Sequence, residues 1–284
     1  MIRRHPILDM ADILWSPTGT LRNGWWVLLF YLMLAALVVP VTLLTSRLGS
    51  SPGMALQAAL VVVATLACLA FRREHPRTVF GTVARWRTGV PVGLAWGCVI
   101  WAVVALVLWL CGSVEWHWSG QGAAALPQGL IDCLAVACAE ELLFRGFPFQ
   151  RLIDGIGKWP AQGVMACYFV LVHSTGLAGA GELAALAIAN IFGASLLFGA
   201  AYLRTRSLAV SIALHFALNF TQGPILGFGV SGNTSAGLWV PTTVSAPIWW
   251  TGGSFGLEAS LPGTIAVMVA LAVVLFWPST GVKA

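Results

Sequence analysis

Charge is what this sequence has least of. Asp, Glu, Lys and Arg make up 9% of its 284 residues, while 58% are hydrophobic. A soluble domain carries about 25% charged residues, so that class is excluded. The small basic excess, +5, is no nucleic-acid footprint, because its arginines gather in short loops between apolar runs, which is an orientation signal. Paired cysteines are also missing. The six cysteines, Cys68, Cys98, Cys111, Cys133, Cys138 and Cys167, form no C-x-x-C and lie mostly inside apolar runs. They read as small buried hydrophobes, which excludes a disulfide framework. There is no His-Glu-x-x-His, so the common zinc-protease helix is absent. No internal repeat stands out. The first apolar run, starting near Trp25, is too long and too late for a secretory signal and has no small-residue cleavage site.

What is present is a series of runs of spanning length: 25–45, 53–71, 90–110, 124–143, 161–178, 183–203, 208–223 and the shorter 263–277. They predict an all-α polytopic membrane protein with about eight transmembrane helices. Segment 1–24 is then an N-terminal lead-in and 25–120 holds the first three helices. A core of four helices follows over 121–223. A Gly/Ser/Thr/Pro-rich loop fills 224–262, and 263–284 holds the last helix and a short tail. Residues 83–87 in the loop after the second run are expected on the headgroup surface. With the N-terminus inside, fourteen of the fifteen Lys and Arg fall on the cytoplasmic side and only Arg47 falls outside. Both termini are therefore expected in the cytoplasm.

The polar side chains inside runs four to seven are few. They are Asp132, Glu140, Glu141, His173, Asn190, Ser211, His215 and Asn219. The first three runs hold almost nothing of the kind. Ionisable groups at membrane depth are costly and usually functional. Glu141 and Arg145 are four apart on a helix, acid first, which favours an ion pair. Glu140 points about 100° away at 3.6 residues per turn, so it is expected to stay free and reactive. His215 and Asn219 share a helix face, and Ser211 extends that stripe one turn back. Polar residues can simply glue membrane helices, but two histidines, a carboxamide and a carboxylate on three helices suggest chemistry. Asn190 can join the site or cap a helix contact, and the role of Asp132 stays open. Glu115, His117 and Glu182 fall in outer loops and are expected to be solvated.

Three patterns occur in order on these helices: Glu140-Glu141-x-x-x-Arg145, Phe169-x-x-x-His173 and His215-x-x-x-Asn219. Together they resemble the CAAX-protease and bacteriocin-processing (CPBP, or Abi) family of intramembrane proteases, which includes the type II CAAX prenyl endopeptidases. The resemblance spans roughly 126–219. It implies peptide-bond hydrolysis in the membrane with access from the cytoplasm. Glu140 would be the catalytic glutamate, and His173 would help it activate water. His215 and Asn219 would bind the oxyanion, while Glu141, Arg145 and Phe169 support the site. Two versions of this chemistry stay open. The favoured one needs no metal; in the other, Glu140, His173 and His215 ligate zinc, with an open position for water.

The expected partners are the lipid bilayer and a membrane-embedded peptide or protein substrate, prenylated or carrying a leader, with no nucleic acid. The expected location is a bacterial cytoplasmic membrane. A non-catalytic immunity or scaffold protein of the same fold is the alternative. A proton-coupled transporter is disfavoured, because repeats with broken helices are not visible.

Overall fold

The structure, a computed structural model, describes residues 13–16, 19–120, 122–234 and 236–276. The expectations for Arg3, Arg4, most of 1–24 and the tail with Lys283 lie outside the described residues. The principal helices are α1 (Asn23–Arg47), α2 (Met54–Arg72), α3 (Val83–Leu110), α4 (Gly122–Arg145), α5 (Phe147–Ile156), α6 (Lys158–Val172), α7 (Ala184–Thr205), α8 (Leu208–Phe220) and α9 (Leu261–Phe276). Two strands, β1 (Val114–Trp118) and β2 (Trp239–Thr243), pair antiparallel, with Val114 opposite Thr243 and Trp118 opposite Trp239.

Among the described residues, six stretches are long and apolar enough to cross a membrane: Asn23–Arg47, Met54–Arg72, Arg77–Leu110, Gly122–Ile156, Gly181–Thr205 and Leu208–Ile225. α9 is a shorter apolar helix. The chain is a polytopic, mostly helical membrane protein. Large apolar side chains on the outer helices, such as Leu32, Leu44, Val99 and Leu106, face outward, as lipid requires.

Helix boundaries differ from the apolar runs in two places. The run at 161–178 is not one span. α6 has 15 residues, about 22 Å at 1.5 Å per residue. It stops at His173, after which a separate short helix covers Ser174–Ala178. The headgroup-surface segment at 83–87 is the first turn of α3, capped by the Thr82 side chain accepting from the Arg85 N–H. An amphipathic helix that the run pattern passes over, α5, follows α4 after a break at Gly146. Any side chain at Gly146 would overlap the Leu142 carbonyl, and Pro148 suits the first turn of the new helix.

The contact that positions the site is α3 against α8. Gly89, Gly93 and Gly97 lie one turn apart on α3. A Cβ on Gly93 would stand 2.5 Å from the Val210 carbonyl, and one on Gly97 would stand 2.6 Å from the Ala217 Cβ. Small residues at this spacing let two membrane helices approach closely. α8 is held between α3 and α4, with Ala209, Ala213, Ala217 and Ser211 all buried.

Candidate active site

Arg145 ends α4 and is fully buried. Its Nη1 donates to Glu141 Oε1 at 3.1 Å, and its Nη2 donates to the Ser195 carbonyl and Oγ at 2.7 Å each. Its guanidinium lies 5.2 Å from the Phe169 ring, 5.3 Å from Phe198 and 5.8 Å from Phe144. A buried charge survives only when paired and hydrogen-bonded, and aromatic faces add cation–π attraction. The expected Glu141–Arg145 pair is present.

Glu141 has a second partner that spacing along one helix cannot show. Its Oε1 also accepts from His215 Nδ1 at 2.9 Å. With Nδ1–H donating to the carboxylate, Nε2 faces the other way, and it lies 3.8 Å from Glu140 Oε2. Glu140 Oε2 is buried and has no hydrogen-bond partner. The two adjacent carboxylates differ at Oε1: Glu141 Oε1 accepts from both Arg145 and His215, while Oε2 of each glutamate is buried without a hydrogen-bond partner. The imidazole of His215 stacks on Phe198 with ring centres 4.7 Å apart and planes 10° from parallel.

His173 caps the end of α6. Its Nδ1 is 2.7 Å from the Phe169 carbonyl, a group that can only accept. Nδ1 therefore carries the proton, and Nε2 is the free nitrogen. Phe169 also touches the His173 ring, with centroids 4.6 Å apart. The phenylalanine of the second motif therefore holds Arg145 and His173 together.

Glu140, His173, His215 and Asn219 line one cavity of about 860 Å³. This is within the range of ligand-binding cavities. Asn190 and Asp132 line it too. Ser211 does not join the site; it donates to the Phe198 carbonyl at 3.0 Å and fixes α8 to α7. Glu115, His117 and Glu182 are exposed, the first two on β1 and not in a loop. For the zinc alternative, no three His, Cys, Asp or Glu side chains converge on a metal position among the described residues, while the Nδ1 bond to Glu141 leaves Nε2 of His215 open.

Several contributors escaped sequence reasoning. Ser195 and Phe198 look like ordinary helix-packing residues until the fold places them on Arg145 and His215. The largest surprise is the 224–262 loop, which forms a wall of the cavity through Val230, Ser231, Phe255 and Glu258. Glu258 Oε2 accepts from the Ser231 N–H at 2.8 Å and from its hydroxyl at 2.7 Å. Burial raises the pKa of this carboxyl, partly offset by the Ser231 hydrogen bonds and by the nearby imidazole of His173. Ser231 itself has φ 49°, a left-handed conformation unusual for serine. It packs directly on the short helix after His173, where a Cβ on Gly176 would lie 2.6 Å from the Ser231 carbonyl.

The cavity is closed at the Arg145 end of the bundle by buried Phe144, Phe169 and Phe198. Its exposed lining residues include Thr175 and Gly179 after α6, Gly232, Asn233, Thr234 and Ser254 in the 224–262 loop, and Met54 and Val172 on the helices.

Among known families, residues 122–221 match the one described as type II CAAX prenyl endopeptidase Rce1-like. The match begins with α4 and ends just beyond Asn219. No curated protein and no solved structure matches the chain.

Proposed function

Because residues 122–221 are a domain of the Rce1-like type II CAAX prenyl endopeptidase family, we propose that this chain is an intramembrane endopeptidase in which Glu140 activates the water. The observation that carries this reading is the free Glu140 carboxylate, with a buried, unpartnered Oε2 3.8 Å from His215 Nε2. The Glu140 side chain keeps 25% exposure and lines the cavity, so a water reaches the carboxylate from the cavity side. Glu140 takes a proton as the water oxygen bonds to the scissile carbonyl carbon. The negative charge that develops on the carbonyl oxygen is met by the Asn219 carboxamide N–H and by Nε2–H of His215 in its imidazolium form, whose charge the Glu141 carboxylate at Nδ1 balances, while the unprotonated Nε2 of His173 accepts from the water. The C–N bond then breaks, and the amine leaves with the proton that Glu140 held. Glu141 and Arg145 touch no substrate in this scheme. They fix the tautomer and orientation of His215, as the buried carboxylate of a catalytic triad does for its histidine.

The substrate is a membrane-embedded or lipid-anchored peptide segment, prenylated or carrying a leader. The protein sits in a bacterial cytoplasmic membrane with both termini inside.

The test uses purified protein and a fluorogenic, prenylated peptide ending in a CAAX sequence, together with the membrane proteomes of wild-type and Glu140→Gln cells. Glu140→Gln should lower cleavage by about 10²–10⁴-fold, the usual contribution of a positioned base, with an unchanged melting temperature. Full activity in that variant would rule the mechanism out. So would a wild-type enzyme that cuts neither the probe nor any membrane protein.

A further inference from the structure

Beyond the catalytic cluster, the cavity is lined by acidic groups and not by Lys or Arg. Asp132, Glu140 and Glu258 line it together with the imidazoles of His173 and His215, and a cation arriving beside Glu258 would counter the burial that raises its pKa. The nearest buried cation, Arg145, is screened off behind Phe144, Phe169 and Phe198. Neither Asp132 nor Glu258 makes an ion pair among the described residues. Asp132 Oδ1 accepts only from Gln128 Nε2, at 3.0 Å. Glu258 uses Oε2 on Ser231, and that bond pins the side chain in place.

A second, independent observation points to a bound polypeptide. Asn190 is 1% exposed, lines the same cavity, and its Nδ2 has no hydrogen-bond partner. An amide N–H left unpaired in a buried place costs free energy and is satisfied when a carbonyl arrives. A low-dielectric cleft lined by one sign of charge concentrates its counter-ion.

We propose that Asp132 and Glu258 are specificity-determining residues that select a membrane segment carrying a cationic side chain near the bond to be cut, with Asn190 donating to a backbone carbonyl of that segment. The assignment rests on the peptidase reading for the words "bond to be cut". The recognition itself does not need catalysis.

The experiment measures binding to the Glu140→Gln protein in nanodiscs. The probes are three fluorescent Leu/Ala peptides of about 20 residues, long enough to span, with a central Lys, Gln or Glu. The Lys peptide should bind roughly five- to tenfold more tightly than the Gln peptide, as expected for a partly desolvated ion pair, and the Glu peptide more weakly than both. Adding Asp132→Asn and Glu258→Gln should collapse this order. Both amides still accept hydrogen bonds from Gln128 and Ser231, so the fold is expected to hold. If the combined variant does not fold, each single substitution should remove part of the preference. Equal binding of the three peptides, no binding of any, or an order unchanged by the substitutions overturns the proposal. Wild-type cleavage of the three peptides separates the two readings. Binding in the expected order without cleavage sinks the peptidase reading and leaves the recognition. Equal cleavage of all three sinks the recognition and leaves the peptidase.

Discussion

The two ends of the cavity are built on opposite terms. At the Arg145 end most polar groups are matched to one another, Glu141 Oε2 being the buried atom without a partner. Arg145 meets Glu141, Ser195 and three aromatic rings, and Glu141 also meets His215. At the loop end, groups are left over: Asp132 and Glu258 have no cation, and the Asn190 amide nitrogen has no acceptor. Buried polar groups are normally satisfied. A closed set therefore belongs to the architecture, and an open set waits for something absent from the protein itself. Glu140 sits at the boundary, on the helix of the closed set but with its own carboxylate open.

The first way to break that comparison is Arg145→Ala. Removing one partner of a buried ion pair costs about 3–5 kcal/mol. Here it strands Glu141, empties the space between three rings and frees His215 to turn. The expected outcome is a large fall in melting temperature and in the yield of folded protein in detergent. A variant that melts like wild type would show that the closed end is not structural. The second is Asn219→Ala, one turn beyond His215 on the same face. Losing an oxyanion donor costs about 10²–10³-fold in turnover. Maximal rate should fall while KM stays near its starting value, and the melting temperature should hold. An unchanged maximal rate would remove Asn219 from the chemistry.

Most of the closed end was legible in the sequence because it is local. Glu141 and Arg145 lie one helical turn apart, and so do Phe169 and His173, and His215 and Asn219. Helical periodicity alone shows that each pair shares a face. The partner that ties these helices together was not legible. The Glu141–His215 hydrogen bond joins residues 74 apart in sequence, and no periodicity predicts it. Helix positions came through for the same reason: an apolar run of spanning length has few alternatives in lipid. The end of α6 at His173 did not, because the polar stretch His173-Ser174-Thr175-Gly176 is short enough to pass inside an apolar run. The glycines at 89, 93 and 97 were a readable signal, since small residues one turn apart in a span mark a helix contact. The loop end was the least legible. Glu258 sits in a Gly-rich stretch without motif, and it reaches the cavity only because the turn at Ser231 and the break after His173 bring two distant segments together.

The third prediction concerns what holds the floor in place. Gly93→Val drives two methyl groups into the α8 backbone at Val210, which is 2.5 Å from a Cβ at that site. Overpacking of a close contact costs about 1–3 kcal/mol. It should move His215 relative to Glu140, so activity should fall further than melting temperature does. Gly93→Ala should show the same effects at smaller size. If Gly93→Val leaves both unchanged, α3 is not what registers α8.

The smallest effect is the sharpest test of the open end. Ser231→Ala removes one of the two hydrogen bonds to Glu258 and leaves the backbone donor, a loss of about 1 kcal/mol. Ser231→Gly removes the same bond but also relieves the left-handed backbone at φ 49°. Glycine adopts that conformation without steric cost, so its melting temperature should stay near wild type. If Ser231 serves only to shape the turn, the two variants differ in stability and neither alters which peptides bind. If it serves to hold Glu258 on the cavity wall, both weaken the preference for the Lys peptide, including the one that is no less stable. A Ser231→Gly protein with wild-type stability and reduced charge preference therefore separates a wall built for recognition from a turn that merely closes the fold.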